Sequence, residues 1–161
     1  ETLKGYLSQN GIYVLEEETK TLNGLNITVS GVSDIRKKDY DDETYTMEGA
    51  VDKLCVSEDS FNILLSHSPF FVKYFQDKGF DLVLSGHTHG GQVRIPLILN
   101  GLFCRSYPKR FGFFPKYCGG KYKVSDLNLI VGRGCANNPG WVPRVFNRKE
   151  LIVIDIKKRD C

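Results

Sequence analysis

Phe61-Asn62-Ile63-Leu64-Leu65-Ser66-His67-Ser68-Pro69 and Phe80-Asp81-Leu82-Val83-Leu84-Ser85-Gly86-His87-Thr88-His89-Gly90-Gly91-Gln92 decide how this chain reads. Each is a short apolar run followed by histidine, and together they hold all 3 histidines of the 161 residues. Apolar runs of this length bounded by Ser, Gly and Pro predict buried strands, here over 61–66 and 81–85. The intervening segment 69–78 opens on a proline that a first helical turn tolerates, and a helix is expected there. Strand, helix, strand favours two adjacent parallel strands. Open sheets of that kind place ligands at the carboxyl ends of their strands. Imidazole is also the commonest metal-binding side chain. Three imidazoles gathered at one sheet edge point to a metal site.

The spacing of the second pair refines this. On a strand, His87 and His89 would point the same way, because side chains alternate with period two. Gly86, Gly90 and Gly91 favour a loop whose backbone can approach a bound group closely. In a loop the two histidines need not share one ion. They can serve two ions, which in two-metal sites lie about 3.5–4 Å apart. A bare His-X-His among glycines is as readily a polar turn; His67, placed equivalently after the preceding run, favours the metal reading.

Working outward, a helix is expected over residues 2–10, closed by Asn10-Gly11. Strands are expected over Tyr13–Leu15, Lys20–Leu22 and Leu25–Ser30, the last two separated by the Asn23-Gly24 turn signal. The charged run from Asp34 to Glu48 reads as an exposed loop entering a short helix near Gly49–Cys55. Tyr122–Val124, Leu127–Val131 and Glu150–Ile156 read as antiparallel strands. The fold class is therefore mixed α/β. With 41% hydrophobic and 25% charged residues, the chain can bury a core as a single domain over 1–161. Five cysteines, odd in number and without a C-x-x-C pair, argue against a disulfide framework or a zinc cage, and favour a reducing compartment. No apolar run reaches transmembrane length.

The two histidine motifs resemble the last two metal motifs of the calcineurin-like metallophosphoesterases, nearest the branch of bacterial membrane-associated phosphodiesterases and UDP-2,3-diacylglucosamine pyrophosphatases. The likeness continues through Val93-Arg94-Ile95-Pro96, Phe114-Pro115-Lys116-Tyr117, Val131-Gly132-Arg133-Gly134 and Phe146-Asn147-Arg148-Lys149-Glu150-Leu151. The family's earlier motifs, Asp-X-His, Gly-Asp-X-X-Asp and Gly-Asn-His-Asp or -Glu, do not occur in these 161 residues. The resemblance thus implies the C-terminal part of a layered α/β/β/α sandwich, an incomplete domain whose N-terminal metal motifs are absent.

What the resemblance implies for function follows residue by residue. His67 and His87 would bind one metal and His89 the other; the bridging carboxylate, the asparagine ligand and the general acid belong to the absent motifs. The activity implied is phosphodiester or pyrophosphate hydrolysis by a two-metal centre and metal-activated water, with a lipid-linked substrate as the favoured specialisation. Histidine with carboxylate and water ligands suits Mn, Fe or Zn. Three histidines divided between two ions cannot fix either one, so this chain alone is expected to be inactive. Location stays open between the cytoplasm and a membrane reached through a segment outside this sequence.

Residues 82–125 contain no Asp or Glu but carry Arg94, Arg105, Lys109, Arg110, Lys116, Lys121 and Lys123 among Phe and Tyr. A basic aromatic surface suits an anionic membrane surface or single-stranded nucleic acid. The plain alternative is aromatics packing a long loop under solvated lysines, in keeping with a net charge of only +3. A phosphate-bearing or lipid-linked substrate is preferred over nucleic acid. Arg133, between Gly132 and Gly134, is the candidate for substrate phosphate, against a glycine-shaped turn with a surface arginine. Trp141 reads as a loop anchor or a substrate-facing aromatic. Asp39-Tyr40-Asp41-Asp42-Glu43 lacks the spaced carboxylates and glycine of a calcium loop and reads as solvated. The main rival to an enzyme is a binding module, a truncated or degenerate phosphoesterase meeting a membrane or partner through the basic aromatic face.

Overall fold

The computed structural model describes residues 2–34, 45–104, 112–136 and 143–157. The acidic run 39–43, residues 105–111 of the basic stretch, Trp141 and Cys161 lie outside them. The mixed α/β class is as expected. Helix α1 spans Leu3–Gln9; the Thr2 hydroxyl accepts from the Gly5 N–H, and Asn10 closes the helix. Gly11 follows at φ +75°, the left-handed conformation that favours glycine. Strands β1 (Glu18–Thr21) and β2 (Ile27–Val32) form an antiparallel hairpin around Asn23-Gly24. Then come α2 (Met47–Val51), β3 (Phe61–Ser66), a 3-10 helix (Pro69–Tyr74) and β4 (Leu82–Ser85). The short ribbon β5 (Phe103–Cys104) and β6 (Gly112–Phe113) precedes the hairpin β7 (Gly120–Val124) and β8 (Leu127–Val131).

Six strands form one sheet in the order β1-β2-β3-β4-β8-β7. The central four, β2, β3, β4 and β8, are parallel, and each edge is closed by an antiparallel hairpin partner. Parallel pairing brings all four carboxyl ends to one edge. Val32 pairs with Ser66 and Ser85 with Val131, so His67, His87 and Arg133 all follow strands that end at that edge.

One face of the sheet is packed. Leu64, Val83, Leu129 and Val131, each fully buried, meet Val51, Val72 and Phe75 from α2 and the 3-10 helix. The other face carries Val29, Ile63, Leu65, Leu84 and Ile130 in register, yet Leu65 is 40% exposed. Helix α1 buries none of its residues. A parallel sheet apolar on both faces is normally covered on both.

Four expectations need correction. Residues 13–15 pair with no strand among the described residues; Leu15 lies over Gly31, where its Cβ would stand 2.6 Å from any side-chain carbon added there. The segment after Pro69 is a 3-10 helix ending at Tyr74, its last turn closed by the i→i−3 bond from Phe75 N–H to the Val72 carbonyl. The short helix starts earlier than expected because Thr46 caps it, accepting from the Gly49 N–H. Residues 150–156 form no strand: both neighbours of β8 are already taken, and the tail keeps only a period-two alternation in exposure.

Asn62 shows how the strand entrances are fastened. Its side chain accepts from the Thr28 hydroxyl at 2.6 Å and donates to the Ser57 and Ser60 carbonyls at 2.9 and 3.0 Å. Asn62→Ala strands these partners in a buried place, and a loss of about 2–3 kcal/mol in urea unfolding is expected.

Candidate metal centre

The carboxyl edge is tied together by backbone bonds that continue past the strands. Gly86 N–H donates to the His67 carbonyl at 3.0 Å, and Gly132 N–H to the Ser85 carbonyl at 2.8 Å. These bonds carry the β3, β4 and β8 ladders into the loops that hold the histidines. As a result His67 Nε2 and His87 Nδ1 stand 3.2 Å apart. The ring of Phe70, from the 3-10 helix, meets His87 edge-on at 6.0 Å between centroids.

The loop from His87 to Gln92 is held in a costly conformation. His87 (φ +65°), His89 (+48°), Gly90 (+68°), Gly91 (+68°) and Gln92 (+59°) all have left-handed backbones. Each of the three non-glycine residues costs roughly 1–2 kcal/mol there, and such strain clusters at functional sites. Long-range contacts hold it in place. Thr88, fully buried, donates its hydroxyl to the Cys118 carbonyl at 3.0 Å. Asn147 donates from Nδ2 to the carbonyls of His89 and Gln92, at 2.6 and 3.2 Å.

His89 is held by a different set of contacts from the His67–His87 pair. Its pKa is held below its ordinary value, first by burial, then by the Arg144 charge and the charge on His67. Neutral imidazole is the form that ligates metals. Arg144 Nη2 lies 3.5 Å from His89 Nδ1 and donates to the Arg133 carbonyl at 2.7 Å. Arg133 is salt-bridged to Glu150 at 2.7 Å, and this bond holds the Glu150 carboxyl below the usual carboxylate range.

Among the described residues, the buried side-chain atoms without a hydrogen-bond partner are Ser33 Oγ, Ser85 Oγ, Gln92 Oε1, Arg144 Nε and Nη1, and Asn147 Oδ1. Ser33 and Ser85 lie at strand ends on the carboxyl edge; Gln92, Arg144 and Asn147 belong to the histidine loop and the segment clamped on it. Unsatisfied polar atoms are rare in folded proteins, and among the described residues they concentrate at this edge. No group of three or more His, Cys, Asp and Glu side chains among the described residues is arranged to hold a metal ion.

The sequence pointed to the histidines and Arg133 but not to Thr88, Arg144 or Asn147 as parts of the site. The available signal for Arg144 was a lone charge inside the otherwise apolar run Trp141-Val142-Pro143-Arg144-Val145-Phe146. Cys55, Cys104, Cys118 and Cys135 are free thiols. Burial pushes the thiols of Cys104 and Cys118 up to about 11. No described helix is long and apolar enough to cross a membrane.

The chain is similar to several curated proteins. It is 38% identical over 152 residues to a metallophosphoesterase of Aquifex aeolicus, covering 94% of this chain and 53% of the relative. It is 47% identical over 94 residues to the phosphodiesterase YaeI of Escherichia coli, covering 58% of this chain and 32% of that protein. It is 29% identical over 134 residues to the metallophosphoesterase YkuE of Bacillus subtilis, covering 81% of this chain and 42% of that one. The chain therefore spans about half or less of the length of these relatives. No family model matches the chain, and no solved structure does.

Proposed function

We propose, from the premise that the chain belongs to the metallophosphoesterases, that it carries the histidine side of a two-metal centre for hydrolysing phosphate esters. The observation that carries this reading is the 3.2 Å approach of His67 Nε2 and His87 Nδ1. Two imidazole nitrogens bound to one tetrahedral zinc at about 2.0–2.1 Å stand roughly 3.3 Å apart. The pair is already spaced as neighbouring ligands of a single ion. His67 and His87 would hold one divalent ion and His89 a second, with Mn, Fe and Zn all suited to the donors. Ions held there supply Lewis acidity to water and to phosphoryl oxygens. The chain's own residues place the ligands: Asn147 fixes the His89 backbone, and Phe70 walls one side of His87.

Three histidines leave each ion short of ligands, so the remaining donors, carboxylates above all, come from another part of the same domain. Leu65, 40% exposed on the second sheet face, the apolar Leu3 and Tyr6 of the unburied helix α1, and the alternating tail 150–156 support this, as apolar surface left for the rest of the domain to pack against. On this reading residues 1–161 are one incomplete domain, inactive alone.

A phosphate ester bearing an apolar group is the favoured substrate. Beside the site lies a groove of about 460 Å³ with Arg94 and Arg133 among Ile95, Leu97, Ile98 and Phe146. Leu97 and Phe146 are largely exposed. The apolar rim of this groove suits a lipid-linked phosphate ester, and it favours contact with a membrane surface. A binding module without catalysis would use the same surface.

The deciding experiment compares this chain with a version extended N-terminally from its gene, on an aryl phosphodiester with added Mn²⁺. Hydrolysis by the extended protein alone is the expected result. If both stay inactive across Mn, Fe and Zn, the catalytic reading fails and the binding module takes its place.

A further inference from the structure

We infer that Arg144 is the residue that receives the phosphoryl oxygen in this site, an inference that rests on the phosphoesterase reading above. The segment bearing it is clamped to the histidine loop. Val145 N–H donates to the Gln92 carbonyl at 3.1 Å, and Arg94 N–H to the Val145 carbonyl at 3.0 Å. Val93 and Val145 form an isolated parallel bridge. Asn147 bonds the His89 and Gln92 carbonyls from the same segment. Arg144 is therefore held beside His89 by backbone on one side and by an amide on the other, and its guanidinium reaches to 3.5 Å from the imidazole.

Its charge is uncompensated. Nη2 donates to the Arg133 carbonyl, while Nε and Nη1 are buried and have no hydrogen-bond partner. Among the described residues no carboxylate pairs with it, because Glu150, the acid of this corner, is bound to Arg133. A buried cation with unused donors is costly unless an anion meets it. Planar guanidinium suits phosphoryl oxygens better than any other side chain. The contrast with its neighbours singles it out. Arg133 is neutralised by Glu150, and Arg94 is engaged with the Asn100 side chain and the Gly90 carbonyl. Arg144 alone among the three has its donors unsatisfied beside a candidate metal ligand. Such a donor stabilises charge that grows on a phosphoryl oxygen during hydrolysis.

The test is calorimetric titration of the full-length protein with Mn²⁺ and, separately, of its Mn²⁺-loaded form with inorganic phosphate, in parent, Arg144→Gln, Arg144→Lys and Arg133→Gln. Phosphate affinity should fall about 30-fold in Arg144→Gln, the worth of a charged hydrogen bond, with Mn²⁺ affinity kept. Arg144→Lys, which retains the charge and guards against misfolding, should recover part of the loss, and Arg133→Gln should lose less. Unchanged phosphate affinity in Arg144→Gln overturns the inference. A parallel loss of Mn²⁺ affinity also overturns it, since Arg144 would then be only a brace for His89. If the parent binds phosphate in an Arg144-dependent way but takes up no Mn²⁺, the metal reading fails and the Arg144 assignment stands.

Discussion

His87→Ala is expected to lower phosphodiester hydrolysis by the N-terminally extended protein by more than about 100-fold, since even outer-shell partners of metal ligands are worth 10–100-fold. Mn²⁺ affinity should fall with it. His67 and His87 are better tests than His89, because their nitrogens stand 3.2 Å apart, spaced as ligands of one ion. The backbone of His87 complicates the substitution: at φ +65°, alanine sits in a conformation that L residues rarely adopt. His87→Asn separates the two effects, because asparagine tolerates the left-handed region while offering no imidazole. The expected pattern is equal loss of activity in both variants, with His87→Asn the more stable of the two. Activity within a few-fold of the parent in both His87→Asn and His87→Ala would mean that His87 shapes the loop and ligates nothing, since alanine offers no donor.

How much of this was legible in the sequence depends on how far each contact reaches along the chain. Phe61–Ser66 and Leu127–Val131 form strands at the expected bounds, because each is an apolar run closed by turn residues at both ends. The Asn23-Gly24 turn and the Asn10-Gly11 helix stop are local chemistry and were equally readable. Residues 150–156 carry the right alternation but no ladder, since pairing depends on a free neighbour that no local pattern announces. The histidines were readable as a group because parallel strands bring their ends together by topology. Arg144 and Asn147 were not, since their contacts to His89 cross separations of 55 and 58 residues. The glycines around the histidines signalled a loop; that His87, His89 and Gln92 share the left-handed backbone is imposed from outside it by the Cys118 carbonyl, which Thr88 bonds, and by Asn147.

Gly91→Ala should destabilise the chain by about 2–5 kcal/mol, far more than a turn glycine elsewhere. Two costs add. At φ +68° a side chain costs about 1–2 kcal/mol in backbone conformation. The new Cβ would also stand 2.5 Å from Gly101 Cα and 3.0 Å from Gly101 C, and forcing extra atoms into packed structure costs about 1–3 kcal/mol. Gly101 is itself packed tight, since a carbon added to it would meet Cys118 Sγ at 2.6 Å and Gly91 Cα at 2.9 Å, and the residue after it is pinned by Leu102 N–H, which donates to the Gly91 and Val93 carbonyls at 3.0 and 2.9 Å. Gly24→Ala is the matched control, since it has φ +78° but nothing within 4 Å of the added carbon. Urea unfolding of both variants isolates the steric part. The consequence for the site follows from the same geometry: the strain must leave through Gly90 and His89, the residues that Asn147 and Arg144 hold. Gly91→Ala should therefore weaken Mn²⁺ binding by the extended protein as well, while Gly24→Ala leaves it unchanged. Equal stability losses in the two variants would mean that the Gly91–Gly101 contact yields freely, and that the histidine loop is not held as rigidly as its left-handed backbone implies.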